Sequence, residues 1–327
     1  MNRRRQKSQK YFIKVNKSKL ITIKNRCGYF VVASMLLCLV FSCQNQRSCY
    51  IDTGSAAGLK KLLHYTGDNM YLLCAHRGGA EPDYPENCIA TFENTLRHCY
   101  AMMEIDPCYT KDSVMVVFHD QTLERTSTGK GKIADFTFAE LQQIRLKNLE
   151  GKTTDYRIQT LNEMLQWAKG KTILVLDKKD VSIKERARKV TEHHAEAYSI
   201  VMAYNFDEAL TCYRLNPDIM MQVFIKDSIE IAQFEQTGIP WENVIVFTGH
   251  QKPEDTSVYR ILHQKGVLCI MGTSRNLDRE YIKGKTNSME TLKTKYHALY
   301  EEGVDIIETD IPVPLSSIIK QQIHSSK

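Results

Sequence analysis

In the stretch AMMEIDPCYTKDSVMVVFHD, residues 101–120, two strand-like apolar runs lie unusually close together. The first is Ala101–Ile105 and the second is Val114–Phe118. Only about eight residues separate them, whereas the crossover between two parallel strands requires a dozen or more. The two runs therefore predict an antiparallel hairpin, and residues 111–113 provide its turn.

Strand-like and helical segments alternate along the chain from residue 70 onward. The strand-like runs are Tyr71–Ala75, Ala101–Ile105, Val114–Phe118, Thr172–Leu176, Ser199–Ala203, Met220–Ile225, Asn243–Phe247, Val267–Met271 and Val304–Ile307. Helical stretches are predicted at residues 87–100, 137–145, 160–169, 183–195, 228–236, 254–265 and 288–302. Because one run belongs to the hairpin, eight βα units remain. The sequence predicts an α/β fold: an eight-stranded parallel β/α (TIM-type) barrel with a small inserted hairpin segment after the second barrel strand.

The net charge of +6 is concentrated at one end of the 327-residue chain. Residues 1–42 carry ten Lys and Arg and no Asp or Glu, so the remainder has 34 basic and 38 acidic residues. The basic balance therefore indicates a targeting segment and argues against a nucleic-acid partner.

A signal peptide of the bacterial lipoprotein type is predicted over residues 1–42. An apolar run from Tyr29 to Phe41 follows the basic stretch, and Ser42 precedes Cys43, which would be lipidated. A cleaved secretory signal, an uncleaved anchor and a cytoplasmic protein are the alternatives. We expect a tether over residues 43–67, a barrel domain over 68–327, and an exported protein that contacts the membrane through its N-terminal lipid anchor, in the periplasm or at the cell surface.

The ten cysteines show no zinc-site spacing. Most of them are predicted to be small buried apolar residues. One or two disulfides are compatible with export, but the spacing does not give their connectivity.

Charged side chains follow the first three barrel strands. In a β/α barrel the active groups lie at the carboxyl ends of the strands. His76 and Arg77 follow the first strand, Glu104 and Asp106 end the second, and Asp177 ends the third. Positions i and i+2 of a strand share a face, so the carboxylates are predicted to meet at the barrel mouth.

Three converging carboxylates repel one another unless a cation compensates them. Glu104, Asp106 and Asp177 are therefore predicted to bind a divalent cation, Mg²⁺ or Ca²⁺, since hard cations prefer oxygen ligands. The three carboxylates, a bound divalent cation, Arg77 and Lys179 together would give the site a net charge of +1, which matches the −1 of a phosphodiester. Arg77 and Lys179 are predicted to contact the phosphate.

Two histidines complete the predicted site. His76 and His119 could flank the phosphorus as general acid and general base, because their ordinary pKa of about 6.5 suits proton transfer near neutral pH. The sequence leaves open which is the acid, and whether water or a neighbouring substrate hydroxyl attacks.

The chain resembles the glycerophosphodiester phosphodiesterase family over residues 71–312. The matching stretches are His76–Gly78, Tyr84–Asn87, Glu104–Asp106, Val116–Asp120, Leu123–Gly131, Gln159–Glu163, Asp177–Lys179, Gly303–Asp305 and Thr309–Pro312. The resemblance implies a β/α barrel, a divalent ion and hydrolysis of deacylated glycerophospholipids to glycerol 3-phosphate and an alcohol. It also implies His76 and His119 as the acid/base pair, Glu104 and Asp106 as metal ligands, and Arg77 and Lys179 as phosphate contacts.

Three positions depart from the family pattern. Asp177 stands where the family usually has Glu, so a water or Asp180 is an alternative ligand, or the metal affinity is lower. Cys88 replaces a Thr at the start of a helix. Gly272 stands where a Trp is usual, so the aromatic wall of the substrate site is expected to be missing.

Other acidic and histidine residues are given structural interpretations. Asp305 and Asp310 are expected to hold loops, and His250 is a weak pocket candidate.

Two other functions stay open: a phospholipase of related barrel type that acts on phosphoinositide or sphingolipid head groups, and a surface lipoprotein that binds phosphodiesters without cleaving them. The sequence predicts a small-molecule phosphodiester as the partner and does not indicate an oligomeric state.

Overall fold

In the computed structural model, which describes residues 48–68, 70–79, 81–285, 288–319 and 321, the strands follow the predicted runs closely. In chain order they are β1 (Leu72–Ala75), β2 (Ala101–Ile105), β3 (Pro107–Tyr109), β4 (Met115–Val117), β5 (Leu174–Leu176), β6 (Ser199–Ala203), β7 (Met220–Phe224), β8 (Val244–Gly249), β9 (Cys269–Gly272) and β10 (Ile306–Thr309).

Eight of these strands close into a barrel in the order β1-β10-β9-β8-β7-β6-β5-β2. Every neighbouring pair is parallel, and β1 pairs with both β10 and β2. The predicted TIM-type barrel is therefore confirmed. Closure brings the carboxyl ends of all eight strands to one mouth.

The hairpin lies after β2, as predicted, but β2 is not one of its two strands. β3 pairs antiparallel with β4, with Pro107 opposite Val117. Both edges of β2 are already occupied, by β1 on one side and β5 on the other. Because no free edge remains on β2, the chain forms a new short strand beyond Asp106 and pairs that one with β4.

Helices separate the barrel strands. In chain order they are α1 (Ala56–Leu62), α2 (Ile89–His98), α3 (Phe138–Leu141), α4 (Leu161–Ala168), α5 (Ile183–Glu192), α6 (Phe206–Leu215), α7 (Ser228–Glu235), α8 (Ser257–Gln264), α9 (Leu277–Ile282), α10 (Met289–Glu301) and α11 (Pro312–Ser316). Several begin at a side-chain cap; Thr160 at the start of α4 and Ser182 at the start of α5 each form a capping box. These caps satisfy backbone N–H groups that a helix leaves free.

Alternate residues of each strand point into the barrel. These inward residues form an interior cluster. Its buried apolar members in the strands or directly before them are Leu72, Cys74, Met102, Ile173, Val175, Ile200, Met202, Met220, Ile245, Phe247, Leu268, Ile270 and Ile306. The intervening residues pack outward against the helices in a second cluster. The inward alternation continues to the mouth, where it carries Glu104 and Glu308 into the same space.

Residues 48–67, within the segment predicted to be a tether, contact the barrel. The N–H of Cys49 donates to the carbonyl of Leu96, and Ile51 joins Leu59 and Leu63 of the α1 region in the interior cluster. This segment therefore covers apolar residues of the barrel interior.

The predicted signal peptide over residues 1–42 and the lipidation site Cys43 lie outside the described residues. Within the part of the chain that the structure describes, no helix combines the length and apolar character needed to cross a membrane. The cysteines described there, which are residues 49, 74, 88, 99, 108, 212 and 269, are all free thiols.

Candidate active site

Three carboxylates from two neighbouring strands converge at the mouth of the barrel. Glu104 lies on β2, Asp106 directly follows it, and Asp177 follows β5. Their ligand oxygens all lie within 4.8 Å of one another. The residues are only 2%, 1% and 9% exposed, respectively. The structure thus brings together all three predicted metal ligands.

The electrostatics of this cluster fit a cation. Burial and the neighbouring Asp106 carboxylate raise the pKa of Glu104 well above its usual range. Burial would also raise the pKa of Asp106, but Lys179, together with His119 and Asn87, outweighs burial and lowers that pKa. The Lys179 ammonium lies 2.8 Å from Asp106 and 3.0 Å from Asp177. The Arg77 guanidinium also approaches Asp106, at 3.9 Å. Two cationic side chains against three carboxylates leave excess negative charge, and an all-oxygen donor set suits a hard divalent cation.

Asp177 reaches the cluster although its side chain is one methylene shorter than Glu. Its Oδ1 accepts hydrogen bonds from the Tyr204 hydroxyl and from the N–H of Lys178, the latter at 2.6 Å. Asp180, the alternative ligand suggested by the sequence, is not in the cluster; its carboxylate accepts a hydrogen bond from the N–H of Tyr109. Asp177 is therefore the third acidic member of the site.

A tight turn after β1 positions the first histidine and arginine. Arg77 has φ 53 and Gly78 has φ 87, both in the left-handed region. A Cβ on Gly78 would lie 2.2 Å from the ring of Phe92, so only glycine fits this close approach. The turn directs the N–H of Arg77 at Glu104, to which it donates at 2.8 Å. This hydrogen bond links Arg77, a predicted phosphate contact, to Glu104, a predicted metal ligand.

His76 is held by an acidic partner far away in sequence. Its Nδ1 lies 2.6 Å from Asp310 Oδ1, which leaves Nε2 for the cavity that His76 lines. Burial disfavours the charged imidazole, but Asp310 together with the buried Glu104 and Glu308 raises the pKa of His76 to about 10. The sequence predicted only that Asp310 holds a loop. In the structure it also pairs with His76 and raises the pKa of that histidine.

His119 has the opposite electrostatic environment. Its Nδ1 lies 2.7 Å from Asp120, which Arg125 holds in place through two hydrogen bonds. Its Nε2 lies 2.7 Å from a guanidinium nitrogen of Arg77. Burial lowers the pKa of His119 in spite of the neighbouring Asp106 and Asp120. Since Arg77 can only donate, Nε2 is the acceptor and the ring proton lies on Nδ1.

The turn between β1 and α2 ties these parts together. The Asn87 amide donates to Asp106 at 2.6 Å, and the Asn87 N–H donates to the carbonyl of Arg77. Glu86 accepts two hydrogen bonds from Arg125, at 2.7 and 2.8 Å, and two from Arg77, at 3.2 and 3.4 Å. Both residues therefore support the candidate metal and phosphate contacts.

The site opens into a cavity of about 1100 Å³. Part of its wall is aromatic: Tyr204 stacks on Phe224, Phe224 contacts Phe247, and Phe247 packs against His250, at 4.6, 5.3 and 5.3 Å between ring centroids. A Cβ on Gly272 would lie 2.3 Å from the His250 ring. Position 272 thus carries no aromatic side chain, and the His250 ring lies in the space beside Gly272. The aromatic lining of the cavity comes instead from other strands, through residues such as Phe224 and Phe247.

Several residues of the site were not predicted from the sequence. Tyr204 and Gln222 line the cavity without belonging to any motif. Glu308 lies four positions before the Pro of a matched stretch, and burial raises its pKa to about 7. Glu308 lies two positions after Ile306, so the period of a strand could have predicted that both side chains share the inward face. Asp305 behaves as expected, since it accepts hydrogen bonds from His263 and from the N–H of Cys269.

A family model and a similar protein both relate this chain to glycerophosphodiester phosphodiesterases. A model of the glycerophosphoryl diester phosphodiesterase family matches residues 76–283. A glycerophosphodiester phosphodiesterase from Caldanaerobacter subterraneus is 26% identical over 260 residues, which cover 76% of this chain and 98% of the relative.

Solved structures agree. A glycerophosphoryl diester phosphodiesterase from Parabacteroides distasonis is 40% identical, with a TM-score of 0.78, and the match covers 85% of this chain and 97% of that one. A phosphodiesterase from Oleispira antarctica, solved in complex with the product sn-glycerol-3-phosphate, shares the fold with 21% identity and a TM-score of 0.58, over 76% of this chain and 96% of that one.

Proposed function

The chain belongs to the glycerophosphoryl diester phosphodiesterase family and is a phosphoric diester hydrolase, and on this premise we propose how and on what it acts. The substrate is a glycerophosphodiester, and the products are glycerol 3-phosphate and an alcohol. The observation that carries the proposal is the convergence of three carboxylates, two cationic side chains and two histidines at one barrel mouth.

The proposed metal site consists of Glu104, Asp106 and Asp177. A divalent cation bound there, Mg²⁺ or Ca²⁺, would polarise a phosphoryl oxygen and help to orient the attacking hydroxyl. The buried position of these carboxylates and the raised pKa of Glu104 support this assignment, because a cation relieves the repulsion between them.

Arg77 and Lys179 are the proposed phosphate contacts. Arg77 offers a planar pair of donors that matches two phosphoryl oxygens, and Lys179 adds a compact charge. In the free protein Arg77 donates to Glu86 and His119 instead. A bound phosphate would draw the guanidinium toward itself and release Nε2 of His119.

The hydrogen bonds support a division of roles between the two histidines. His119, neutral with its proton on Nδ1, would accept the proton of the attacking hydroxyl at Nε2 as general base. His76, kept protonated by Asp310, would give the proton on Nε2 to the leaving alcohol oxygen as general acid. Asp120 and Asp310 hold the two rings in these orientations. The attacking hydroxyl is that of water or of a neighbouring substrate carbon.

Glycerol 3-phosphate as the product has support from the Oleispira phosphodiesterase, which was solved with that molecule. The proposal is tested by measuring release of glycerol 3-phosphate from glycerophosphocholine and glycerophosphoethanolamine, with EDTA, Mg²⁺ or Ca²⁺. We expect metal-dependent turnover that His119→Ala abolishes and His98→Ala preserves. His98 is an exposed histidine at the end of α2 and does not line the cavity.

Two results would redirect the assignment. Turnover of intact phosphatidylinositol or sphingomyelin, with none of the deacylated diesters, would establish the phospholipase alternative. Binding of glycerol 3-phosphate by a folded, metal-loaded protein without any turnover would establish the binding role.

For localisation we propose an exported lipoprotein anchored through Cys43. The support is the order of a basic stretch, an apolar run and a small residue before this cysteine in the sequence. Mass spectrometry of the membrane-extracted protein should find a diacylglyceryl modification on Cys43 and no residues before it. Cys43→Ser should leave an unprocessed chain, whereas a chain cut elsewhere would indicate an ordinary secretory signal.

A further inference from the structure

One buried polar side chain in the barrel mouth, that of Gln222, has no role in the proposed hydrolysis. Gln222 lies on β7 between Met220 and Phe224, is 0% exposed, and lines the same cavity as the candidate catalytic groups. Neither its Nε2 nor its Oε1 makes a hydrogen bond within the described part of the chain. Both ends of the amide are therefore unpaired.

The neighbours of Gln222 explain why the amide stays unpaired. In register it lies beside Met202 of β6 and Ile245 of β8, whose side chains form no strong hydrogen bonds. Phe224 and Phe247 close the aromatic wall nearby. Burying an amide without partners costs roughly 1–3 kcal/mol in proteins, and natural structures seldom keep such a group unless a ligand or water uses it.

We propose that the Gln222 amide binds the two free hydroxyl groups of the substrate's glycerol. Nε2 donates to one hydroxyl and Oε1 accepts from the other. The inference rests on the proposed function, since it places a glycerophosphodiester in this cavity.

The chemistry of the amide selects this ligand. An amide pairs a donor with an acceptor, and vicinal hydroxyls offer the same pair in return. A carboxylate or phosphate could use only the donor, and an ammonium only the acceptor. The adjoining rings of Phe224 and Phe247 suit the carbon side of a glycerol. Gln222 thus acts as a specificity residue, and an analogue without the hydroxyls would leave the amide unpaired.

The test compares two ligands of equal charge, glycerol 3-phosphate and propyl phosphate, by calorimetric titration of the metal-loaded protein. We expect the wild type to bind glycerol 3-phosphate roughly 10- to 100-fold more tightly, as two neutral hydrogen bonds allow. Gln222→Met keeps the size of the side chain and removes the amide. The variant should bind both ligands alike and should bind propyl phosphate as the wild type does.

A stability measurement separates this role from a structural one. Gln142 is the matched control, because its Nε2 donates to the carbonyl of Ile158 at 2.8 Å. Gln142→Met should lower the melting temperature and leave the preference for glycerol 3-phosphate intact. Gln222→Met should leave the melting temperature unchanged or raise it.

A Gln222→Met variant that still prefers glycerol 3-phosphate, or that melts lower as Gln142→Met does, would overturn the inference. Binding is measured without turnover, so the two proposals fail separately. Discrimination by Gln222 in a protein that hydrolyses no glycerophosphodiester would refute the proposed function alone. Hydrolysis with no discrimination would refute the glycerol subsite alone.

Discussion

Removing the hydroxyl of Tyr204 should weaken metal binding without disturbing the fold. Tyr204 donates to Asp177 Oδ1, and this is the hydrogen bond through which a residue outside every motif orients a proposed metal ligand. In Tyr204→Phe the ring and its stacking on Phe224 remain, so the change is confined to one hydrogen bond.

The magnitude follows from the other partners of Asp177. A hydrogen bond to a charged group contributes roughly 1.5–3 kcal/mol, which corresponds to about 10- to 100-fold in affinity. Asp177 keeps the N–H of Lys178 at 2.6 Å and the ammonium of Lys179 at 3.0 Å. Tyr204 is also 45% exposed, so water can replace part of the lost contact. We therefore expect the lower end, about a 10-fold weaker metal affinity.

The assay is calorimetric titration of the metal-free protein with Mg²⁺ and Ca²⁺, together with turnover as a function of metal concentration. Turnover of Tyr204→Phe should recover when more metal is added. Tyr109→Phe is the control, because the Tyr109 hydroxyl also donates to a carboxylate, Glu185 at 2.7 Å, away from the acidic cluster. Equal metal affinity in wild type and Tyr204→Phe would refute the reasoning, as would an equal loss in Tyr109→Phe.

Three further predictions concern the same mouth of the barrel. Metal at about 100 times its dissociation constant should stabilise the protein by about 2.7 kcal/mol, and EDTA or Glu104→Gln should remove the rise in melting temperature. Asp310→Asn removes the partner that raises the pKa of His76 to about 10, so His76 should lose its proton at lower pH and the alkaline limb of the turnover profile should move to lower pH. The stability that this pair contributes is present below pH 6.5 and is lost as pH rises through about 10, and the variant should lack that loss in pH-dependent denaturation. Gly272→Ala should cost about 1–3 kcal/mol in chemical denaturation, because its Cβ would lie 2.3 Å from the His250 ring, and adding His250→Ala should restore most of it.

The barrel could be predicted because its signals are local. Strand-like runs recur with helical stretches between them, and the short spacing after Ile105 removed one run from the count. The sequence could not identify β3 as the partner of β4, since that depends on both edges of β2 being occupied in the closed sheet. Edge occupancy is a property of the assembled barrel.

The acidic cluster was predictable for a similar reason. Glu104 and Asp106 share a face through the period of a strand, and Asp177 ends the next strand of the barrel. Their roles as metal ligands remain predictions, but their meeting place followed from local pattern and the rule that sites lie at strand ends.

The partners of the two histidines differed in how far the sequence revealed them. Asp120 is next to His119 in the chain, whereas Asp310 is 234 positions from His76. The latter pair meets because β10 lies beside β1 in the barrel. No spacing in the sequence carries that information.

By itself, then, the sequence determined the order of the eight barrel strands, their inward faces and most of the charged groups at the ends of the first three. These follow from residue type and short-range periodicity, which act within a few positions of the chain. Only the tertiary structure decided that Tyr204 holds Asp177, that His250 fills the space beside Gly272, and that the Gln222 amide has no hydrogen-bond partner among the described residues. Each of these depends on which side chains from separate strands come within contact distance, and closure of the barrel sets those distances.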